Sequence, residues 1–254
     1  MSGKLILVPN TLDFGVESAG TAPDLQDVLP LAVIRTAARL EHWVAENAKT
    51  TRAFLKRVDA VAPLARALQA IQIVELPRPQ KGAKAPTSND LAALLAPASQ
   101  GQDIGLISEA GLPAVADPGA ALVQAAHTVG IEVVALSGPS SLLLALAASG
   151  LNGQSFAFVG YLPVDAAERG TRIRELEAHS RRFAQTQLMI ETPYRNEALL
   201  GALLAALSPA TRLSVSCGLT LPQGWTRTDS VAAWRAAPGQ IAKNIPAVFS
   251  LLAA

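Results

Sequence analysis

Short runs of strand-forming residues alternate with longer segments of helical periodicity along the chain, and this alternation is the feature that most limits the possible folds. Each run is apolar and short enough to form a single strand. The runs lie at residues 4–8, 42–46, 71–76, 103–108, 132–136, 156–160, 186–191, 212–217 and 246–252. Because helical patterns separate most of these runs, the chain is predicted to form βα units with helices packed on the faces of sheets. The predicted fold class is α/β.

The chain is long enough for two domains of moderate size. It has 254 residues, of which 50% are hydrophobic and only 4% aromatic, so its cores must consist mainly of aliphatic side chains. Near residue 137 the segment LSGPSS leaves a strand and a second α/β series begins. We therefore predict an N-terminal α/β domain over residues 1–137 and a C-terminal α/β domain over residues 138–254.

Composition excludes several classes of protein. The single cysteine, Cys217, excludes an intramolecular disulfide framework, and no Cys/His spacing matches a structural zinc site, so no metal is expected. The longest apolar run, at 142–148, is shorter than a membrane span, and the first ten residues do not resemble a secretory signal. A cytoplasmic protein without a membrane partner is expected. The formal net charge of +1 provides no global field for nucleic acid.

Three strand-to-helix junctions contain proline at a predicted first helical position, where its missing N–H costs nothing. They are VADPG, with Asp117 as the predicted cap and Pro118 as the first residue; LSGPSS, with Pro139; and IETPYR, with Thr192 and Pro193. In open α/β sheets, ligands bind beyond the carboxyl ends of strands. These junctions are therefore candidates for a polar ligand site, although helix capping alone also explains them.

The familiar nucleotide motifs are missing from the sequence. We find no G-x-G-x-x-G after a strand, no P-loop and no nucleophile elbow. The three histidines, His42, His127 and His179, are scattered and are interpreted as structural or surface residues. Cys217 lies in a strand pattern and is interpreted as a small buried apolar residue.

Four motifs occur in one order: ISEAGLPAVADPG from residue 107, VVALSGPSSLLLALAASGL, FAFVGYLP and IETPYR. This set closely resembles the ribosomal small-subunit RNA methyltransferase I family, which belongs to the tetrapyrrole methylase superfamily. The resemblance is dense over residues 100–200 and looser around the first strand. It implies two α/β domains, S-adenosylmethionine in the cleft between them, and a homodimer.

The resemblance also implies a set of cofactor-binding residues by position. In the N-terminal domain these are Pro9, Asn10, Ser108, Glu109, Ala110, Leu112 and Pro113. In the C-terminal domain they are Ser140, Ser141, Tyr161, Leu162 and Glu191. Glu109 is accordingly placed at the cofactor cleft, whereas Asp117 is predicted to cap the next helix.

The substrate-facing segments depart from the family pattern. The first-strand signature is reduced to VPNTL, and the Glu-Asp-Thr-Arg motif becomes AENAKTTR, in which Glu46 is retained. Glu46 and Lys49 are the two candidates for helping to remove a proton from an acceptor hydroxyl. Three functions stay open: methylation of a ribose 2′-hydroxyl in ribosomal RNA, methylation of a tetrapyrrole or other small molecule, and cofactor binding without catalysis.

One local feature favours RNA as a partner, with the small ribosomal subunit as its source. Lys49, Arg52, Lys56 and Arg57 share one stripe if their segment is helical. A second basic group, Arg78, Lys81 and Lys84, lies in a Pro/Gly-containing loop. A solvated helix face and a surface loop explain the same residues equally well.

Overall fold

The computed structural model describes residues 2–13, 24–77 and 88–253. Contacts divide these residues into two compact units. The first contains residues 2–13, 24–77 and 88–139, and the second contains residues 140–253. Each unit contains one five-stranded sheet. The predicted two-domain α/β architecture is confirmed.

The strands fall within the nine predicted runs, with one addition. They are β1 (Leu5–Leu7), β2 (His42–Ala45), β3 (Gln72–Glu75), β4 (Ile104–Ile107), β5 (Val133–Ala135), β6 (Phe156–Phe158), β7 (Thr186–Ile190), β8 (Arg212–Cys217), β9 (Trp225–Ser230) and β10 (Ala247–Leu252). The added strand, β9, has the sequence WTRTDS and lacks the apolar run on which the prediction relied.

Helices connect the strands in both units. They are α1 (Leu25–Val28), α2 (Leu31–Arg39), α3 (Ala48–Val61), α4 (Ser88–Leu94), α5 (Ala96–Ser99), α6 (Ala120–Thr128), α7 (Ser141–Ser149), α8 (Ala166–Phe183), α9 (Asn196–Ala206) and α10 (Val231–Ala236). Within the described residues, none of them combines the length and apolar character needed to cross a bilayer.

The sheet of the first unit is parallel throughout, with the strand order β3-β2-β4-β1-β5. Both faces are buried, as parallel sheets require. One face packs on a cluster that includes Trp43 and residues of α1, α2 and α3. The other packs on a cluster that includes Leu106 and residues of α4, α5 and α6. All five strands therefore end at the same edge of the sheet.

The sheet of the second unit is mixed, with the order β6-β7-β10-β8-β9. Only β6 and β7 pair in parallel; β10 and its neighbours pair antiparallel, as do β8 and β9. One face packs on α8, α9 and α10 around Phe249 and Trp234. The other packs on α7 through Leu142, Ala145 and Leu146.

Two of the three predicted proline junctions are wrong. Helix α6 begins at Ala120 with Gly119 as its N-cap, so Pro118 is not helical and Asp117 caps nothing. The φ angle of Gly119 is 129°, a value that favours glycine. The loop therefore ends at Gly119, one residue after the proline. Helix α7 begins at Ser141 after Ser140, which places Pro139 before the helix. Only Pro193 begins a helical segment, the 3-10 turn Pro193–Arg195, although the Thr192 side chain does not cap it.

The centre of the first sheet depends on the missing side chain of Gly105. A Cβ atom at this position would lie 2.7 Å from Cε3 of Trp43 on the neighbouring strand. The Trp43 indole is buried, and its Nε1 donates to the Leu40 carbonyl oxygen at 3.1 Å, which restricts its rotation. The Trp43 ring of β2 therefore packs directly over the backbone of Gly105 in β4.

We expect Gly105→Ala to lower the free energy of unfolding by about 1–3 kcal/mol, because overpacking displaces a fixed ring. Urea denaturation measures the loss. Gly201→Ala in α9 is the control, because its Cβ would meet nothing within 4 Å. That change should stabilise the helix by up to about 1 kcal/mol. Equal effects of the two substitutions would contradict the packing argument.

Candidate functional site

Several residues singled out in the sequence lie at the carboxyl edge of the parallel sheet. Pro9 and Asn10 follow β1, Glu46 follows β2, and Ser108 and Glu109 follow β4. Strand β4 lies between β2 and β1 in the sheet. The structure therefore brings together the predicted cofactor residues of this unit and one of the two catalytic candidates.

Both polar groups of the Asn10 side chain form hydrogen bonds, and its amide nitrogen binds the segment after β4. Its Nδ2 donates to the carbonyl oxygens of Ser108 (3.1 Å) and Glu109 (3.0 Å). Its Oδ1 accepts from the Thr11 backbone N–H at 2.9 Å. The Asn10 residue is only 7% exposed. Its side chain is thus committed to contacts within the protein.

The backbone of Asn10 also binds the segment after β4. Its N–H donates to the Gly111 carbonyl oxygen at 2.9 Å, which forms an isolated antiparallel bridge between these two residues. Gly111 has a φ angle of 65°, in the left-handed region that favours glycine. The segments after β1 and β4 are therefore joined by both main chain and side chain.

Glu46 approaches the same segment from the other side. Its Oε2 accepts from the Glu109 backbone N–H at 3.0 Å. The backbone N–H of Glu46 donates to the Ile107 carbonyl oxygen at 3.1 Å, which extends the pairing of β2 with β4. One oxygen of this catalytic candidate is therefore occupied by a main-chain donor.

Asp117 belongs to this group of carboxylates, contrary to the prediction that it caps a helix. Burial, followed by the negative charge of Glu46, raises the pKa of Asp117 from 3.8 to about 6; Glu109 adds to the rise, and a hydrogen bond from Ser108 opposes it. The Ser108 hydroxyl also lies 3.1 Å from the Ala110 carbonyl oxygen, so its one proton has two acceptors nearby. The sequence did contain a signal against the cap, because glycine directly after Asp-Pro indicates a loop.

The loop between Gly111 and α6 completes this edge of the sheet. Pro113 is buried and Leu112 is partly exposed. Ala114 and Ala116 have φ angles of 66° and 64°, values that alanine rarely adopts. Two strained residues in one short loop show that the surrounding structure holds it in a defined conformation.

Gly138 is a residue of this edge that the sequence reasoning did not single out. A Cβ atom there would lie 2.2 Å from Cβ of Pro9. The segment after β5 therefore passes directly over the end of β1. The glycine in LSGPSS was the available signal, since only glycine permits so close an approach.

The remaining predicted cofactor residues belong to the second unit. Ser140 is buried and is the N-cap of α7, but its side chain makes no capping hydrogen bond, and Ser141 is the first helical residue. Tyr161 and Leu162 follow β6; Tyr161 is 59% exposed and Leu162 is buried. The structure thus places them in two different loops of this unit.

Glu191 follows β7 and is engaged within its own turn. Its Oε1 accepts from the Thr192 backbone N–H at 2.8 Å, and its Oε2 lies 3.1 Å from a guanidinium nitrogen of Arg195. Glu191 is 8% exposed. Glu191 and Arg195 therefore form an ion pair within this turn.

Lys49, the second catalytic candidate, lies on the surface. The segment 48–61 is a helix, capped by Asn47 through the N–H groups of Lys49 and Thr50. Lys49, Arg52 and Lys56 are exposed. Arg57 instead forms an ion pair with Asp13 at 2.9 Å. Arg78, Lys81 and Lys84 lie outside the described residues.

Other reactive side chains contribute little to this edge. Cys217 is buried, and burial raises the pKa of its thiol, as expected for a structural residue. In the part of the chain that the structure describes, no three His, Cys, Asp or Glu side chains form a group suited to a metal ion.

We expect Asp117→Asn to stabilise the protein most above pH 6. Because the folded state raises the pKa of Asp117, it binds the proton more tightly than the unfolded state, and stability falls as pH rises from 3.8 through about 6. Asparagine removes this ionisation cost, so its advantage shrinks as pH falls toward 3.8. Urea denaturation at several pH values measures the effect, with the exposed Asp27→Asn as control. A gain independent of pH would contradict the assignment.

Comparison with known families gives one match over most of the chain. The sequence profile described as "Tetrapyrrole (Corrin/Porphyrin) Methylases" matches residues 19–229. This range contains β2 to β8, all of β9 except its last residue, and all the predicted site residues except Pro9 and Asn10.

Individual relatives share a name. A "Ribosomal RNA small subunit methyltransferase I" from Mesorhizobium japonicum is 40% identical over 140 residues, which cover 55% of this chain and 46% of the relative. One of the same name from Streptococcus pyogenes is 31% identical over 204 residues, which cover 80% of this chain and 61% of the relative. The matched segment spans less than two thirds of either relative.

Solved structures share the fold across the whole chain. The methyltransferase CobJ is 17% identical with a TM-score of 0.58, covering 100% of this chain and 95% of its own. The uroporphyrin-III C-methyltransferase from Thermus thermophilus, complexed with S-adenyl homocysteine, is 18% identical with a TM-score of 0.54, covering 98% and 97%. At this level of identity the likeness concerns the fold.

Proposed function

The chain belongs to the tetrapyrrole (corrin/porphyrin) methylase family, and on that premise we propose that it is an S-adenosylmethionine-dependent methyltransferase acting on ribosomal RNA. The acceptor is a ribose 2′-hydroxyl of the small subunit RNA. Relatives named as ribosomal RNA small subunit methyltransferases support this substrate. The observation that carries the proposal is the Ser108–Glu109–Ala110 segment, which resembles the family's Ser-Asp-Ala motif with glutamate in place of aspartate and lies at the carboxyl edge of a parallel sheet.

The residues present fit a polar cofactor. The Ala110 N–H has no hydrogen-bond partner among the described residues, and the loop that contains it is conformationally restricted. We assign cofactor contacts by family resemblance to the following residues: Pro9, Asn10, Ser108, Glu109, Ala110, Leu112, Pro113, Ser140, Ser141, Tyr161, Leu162 and Glu191. When bound, the sulfonium of S-adenosylmethionine supplies the methyl group for an in-line displacement.

The chain's own contribution is alignment. A rigid loop at the sheet edge holds the reactants in one geometry, which removes part of the entropic barrier. Glu46 has one carboxylate oxygen occupied by the Glu109 N–H, so the hydroxyl proton of an acceptor would have to reach its other oxygen. Lys49, on the surface in the first turn of α3, is the other candidate.

We expect S-adenosylmethionine to bind with one molecule per chain, measured by calorimetry. Ser140→Tyr places a ring beside the turn that precedes α7 and should abolish binding, because Ser140 is only 9% exposed. Circular dichroism checks that the variant is folded. Ser137→Tyr, at an exposed position, is the matched control and should bind normally. Absence of binding by the natural chain would end the proposal.

Reversing two charges on α3 should weaken RNA binding. In Arg52→Glu with Lys56→Glu, fewer counterions are released on binding, so affinity and its dependence on salt both fall. The affinity for S-adenosylmethionine should not change. Arg35→Glu with Arg39→Glu, two exposed residues of α2, changes the net charge equally and is the control. If both pairs act alike, the α3 stripe is a solvated face.

Methylation of a small molecule is the second candidate. The net charge of only +1 favours it, as does the ion pair that occupies Arg57 with Asp13. Tritium transfer from labelled S-adenosylmethionine into an extract of cells lacking the protein, fractionated into RNA, protein and small molecules, separates the two candidates. Cofactor binding without any transfer would instead support a catalytically inactive module.

The proposal extends to assembly and location. We propose a homodimer, as in the family that the motifs resemble, and a cytoplasmic protein, where ribosomal RNA is found. We also propose that residues 1–137 and 138–254 form its two domains. A sedimentation mass near that of one 26.4 kDa chain would reject the dimer.

A further inference from the structure

Two consecutive peptide groups at the end of β4 are held by side chains from the two neighbouring strands. The first peptide joins Ser108 to Glu109, and the second joins Glu109 to Ala110. Asn10, after β1, donates to both carbonyl oxygens, at 3.1 and 3.0 Å. Glu46, after β2, accepts from the N–H of the first peptide at 3.0 Å. Three of the four polar groups in these two peptides are therefore bound.

The fourth group is the N–H of Ala110. Across a planar trans peptide, the N–H points away from the carbonyl oxygen. Because Asn10 holds the carbonyl oxygen of Glu109, it directs the N–H of Ala110 to the opposite side. There, this N–H has no hydrogen-bond partner among the described residues. A hydrogen-bond donor in this state is available to a ligand.

We propose that Asn10 and Glu46 are positioning residues, which hold the two peptides so that the Ala110 N–H is presented to the bound cofactor. The inference rests on the proposed function and deepens it. It revises two assignments made from sequence, because Asn10 then acts through the loop instead of touching the cofactor. Glu46 then serves as a hydrogen-bond acceptor and not as a base.

The environment of the two side chains supports this role. Asn10 has no spare polar atom, since its Oδ1 accepts from the Thr11 N–H. The Glu46 backbone N–H donates to the Ile107 carbonyl oxygen at the point where the pairing of β2 with β4 ends. The Glu46 side chain accepts from the Glu109 N–H next to this bond. Both residues follow buried strands; Asn10 binds both peptides, and Glu46 binds the first of them.

Substitutions at Glu46 separate a positioning role from a catalytic one. Glu46→Gln keeps an oxygen that can accept from the Glu109 N–H, whereas Glu46→Ala leaves that N–H without an acceptor. We expect Glu46→Ala to weaken S-adenosylmethionine binding about tenfold, and Glu46→Gln to stay within about threefold of the natural chain in binding. Loss of transfer in Glu46→Gln with normal binding would assign Glu46 as a base and overturn the inference.

Asn10 allows a complementary change of nearly equal shape. Asn10→Asp replaces the donating amide nitrogen by an oxygen that faces two carbonyl oxygens, so it should weaken binding at least as much as Asn10→Ala. Because both side chains bind the peptide that joins Ser108 to Glu109, the losses in Asn10→Ala and Glu46→Ala should not add in the double variant. Additive losses would indicate two independent contacts and overturn the inference.

Hydrogen exchange tests the arrangement without any ligand. The Glu109 amide should exchange slowly in the natural chain and in Glu46→Gln, and about tenfold or more faster in Glu46→Ala. Glu132→Gln, which breaks the exposed ion pair with Lys4 next to the starts of β1 and β5, is the control and should leave this amide unchanged. Equal exchange in all variants would show that Glu46 does not hold the loop.

The two measurements distinguish failure of the inference from failure of the proposed function. If the natural chain does not bind S-adenosylmethionine, the proposed function fails and with it the role of the loop in cofactor binding, whatever the exchange rates show. If the natural chain binds it and Glu46→Ala binds equally well, the proposed function stands and the positioning role is rejected.

Discussion

The parallel pairing of β2, β4 and β1 is the constraint on which the candidate site depends. Its register places Leu7 beside Leu106 and Ala45 beside Ile107, so these three strands end almost level with one another. Residues that are 36 and 62 positions apart along the chain, as Asn10 is from Glu46 and Glu46 from Ser108, therefore follow neighbouring strands. A slip of one residue would exchange the two faces of a strand and separate these contacts. The register of the sheet thus determines which polar groups lie next to one another at its edge.

The alternation of apolar runs was sufficient to predict nine of the ten strands in residues 2–13, 24–77 and 88–253, because buried strands of an α/β fold are continuous hydrophobic segments. Strand β9 was missed because its half-exposed residues WTRTDS are mostly polar. Its place in the sheet comes from antiparallel pairing with the preceding strand, β8, and not from an apolar run of its own. The order of the two sheets was unpredictable because it depends on pairing between residues far apart in the chain, such as Leu5 with Ile104.

The sequence predicted that several residues would lie close together, but it did not predict their contacts. Motif resemblance selected Asn10, Glu46 and Glu109, which the structure places at one sheet edge. The contacts that these side chains make depend on residues that only the fold brings together. Asp117 illustrates this, because an Asp-Pro pair before a helix indicates a cap, whereas burial beside Glu46 gives it a raised pKa instead. Capping is a local property, whereas electrostatic coupling between the loops after β2 and β4 is not.

The polar strand that escaped prediction also protects the second sheet. Strand β9 is an outer strand, and its free side could pair with another polypeptide. Arg227 in its middle stacks over the ring of Trp234 at 4.0 Å and donates to the carbonyl oxygens of Ala233 and Ala237 near the end of α10. A foreign strand added at this edge would lie beside a charge that is already held by the protein. The charged and polar residues of WTRTDS therefore disfavour pairing of another chain with this edge of the sheet, while the inner strands keep their apolar residues.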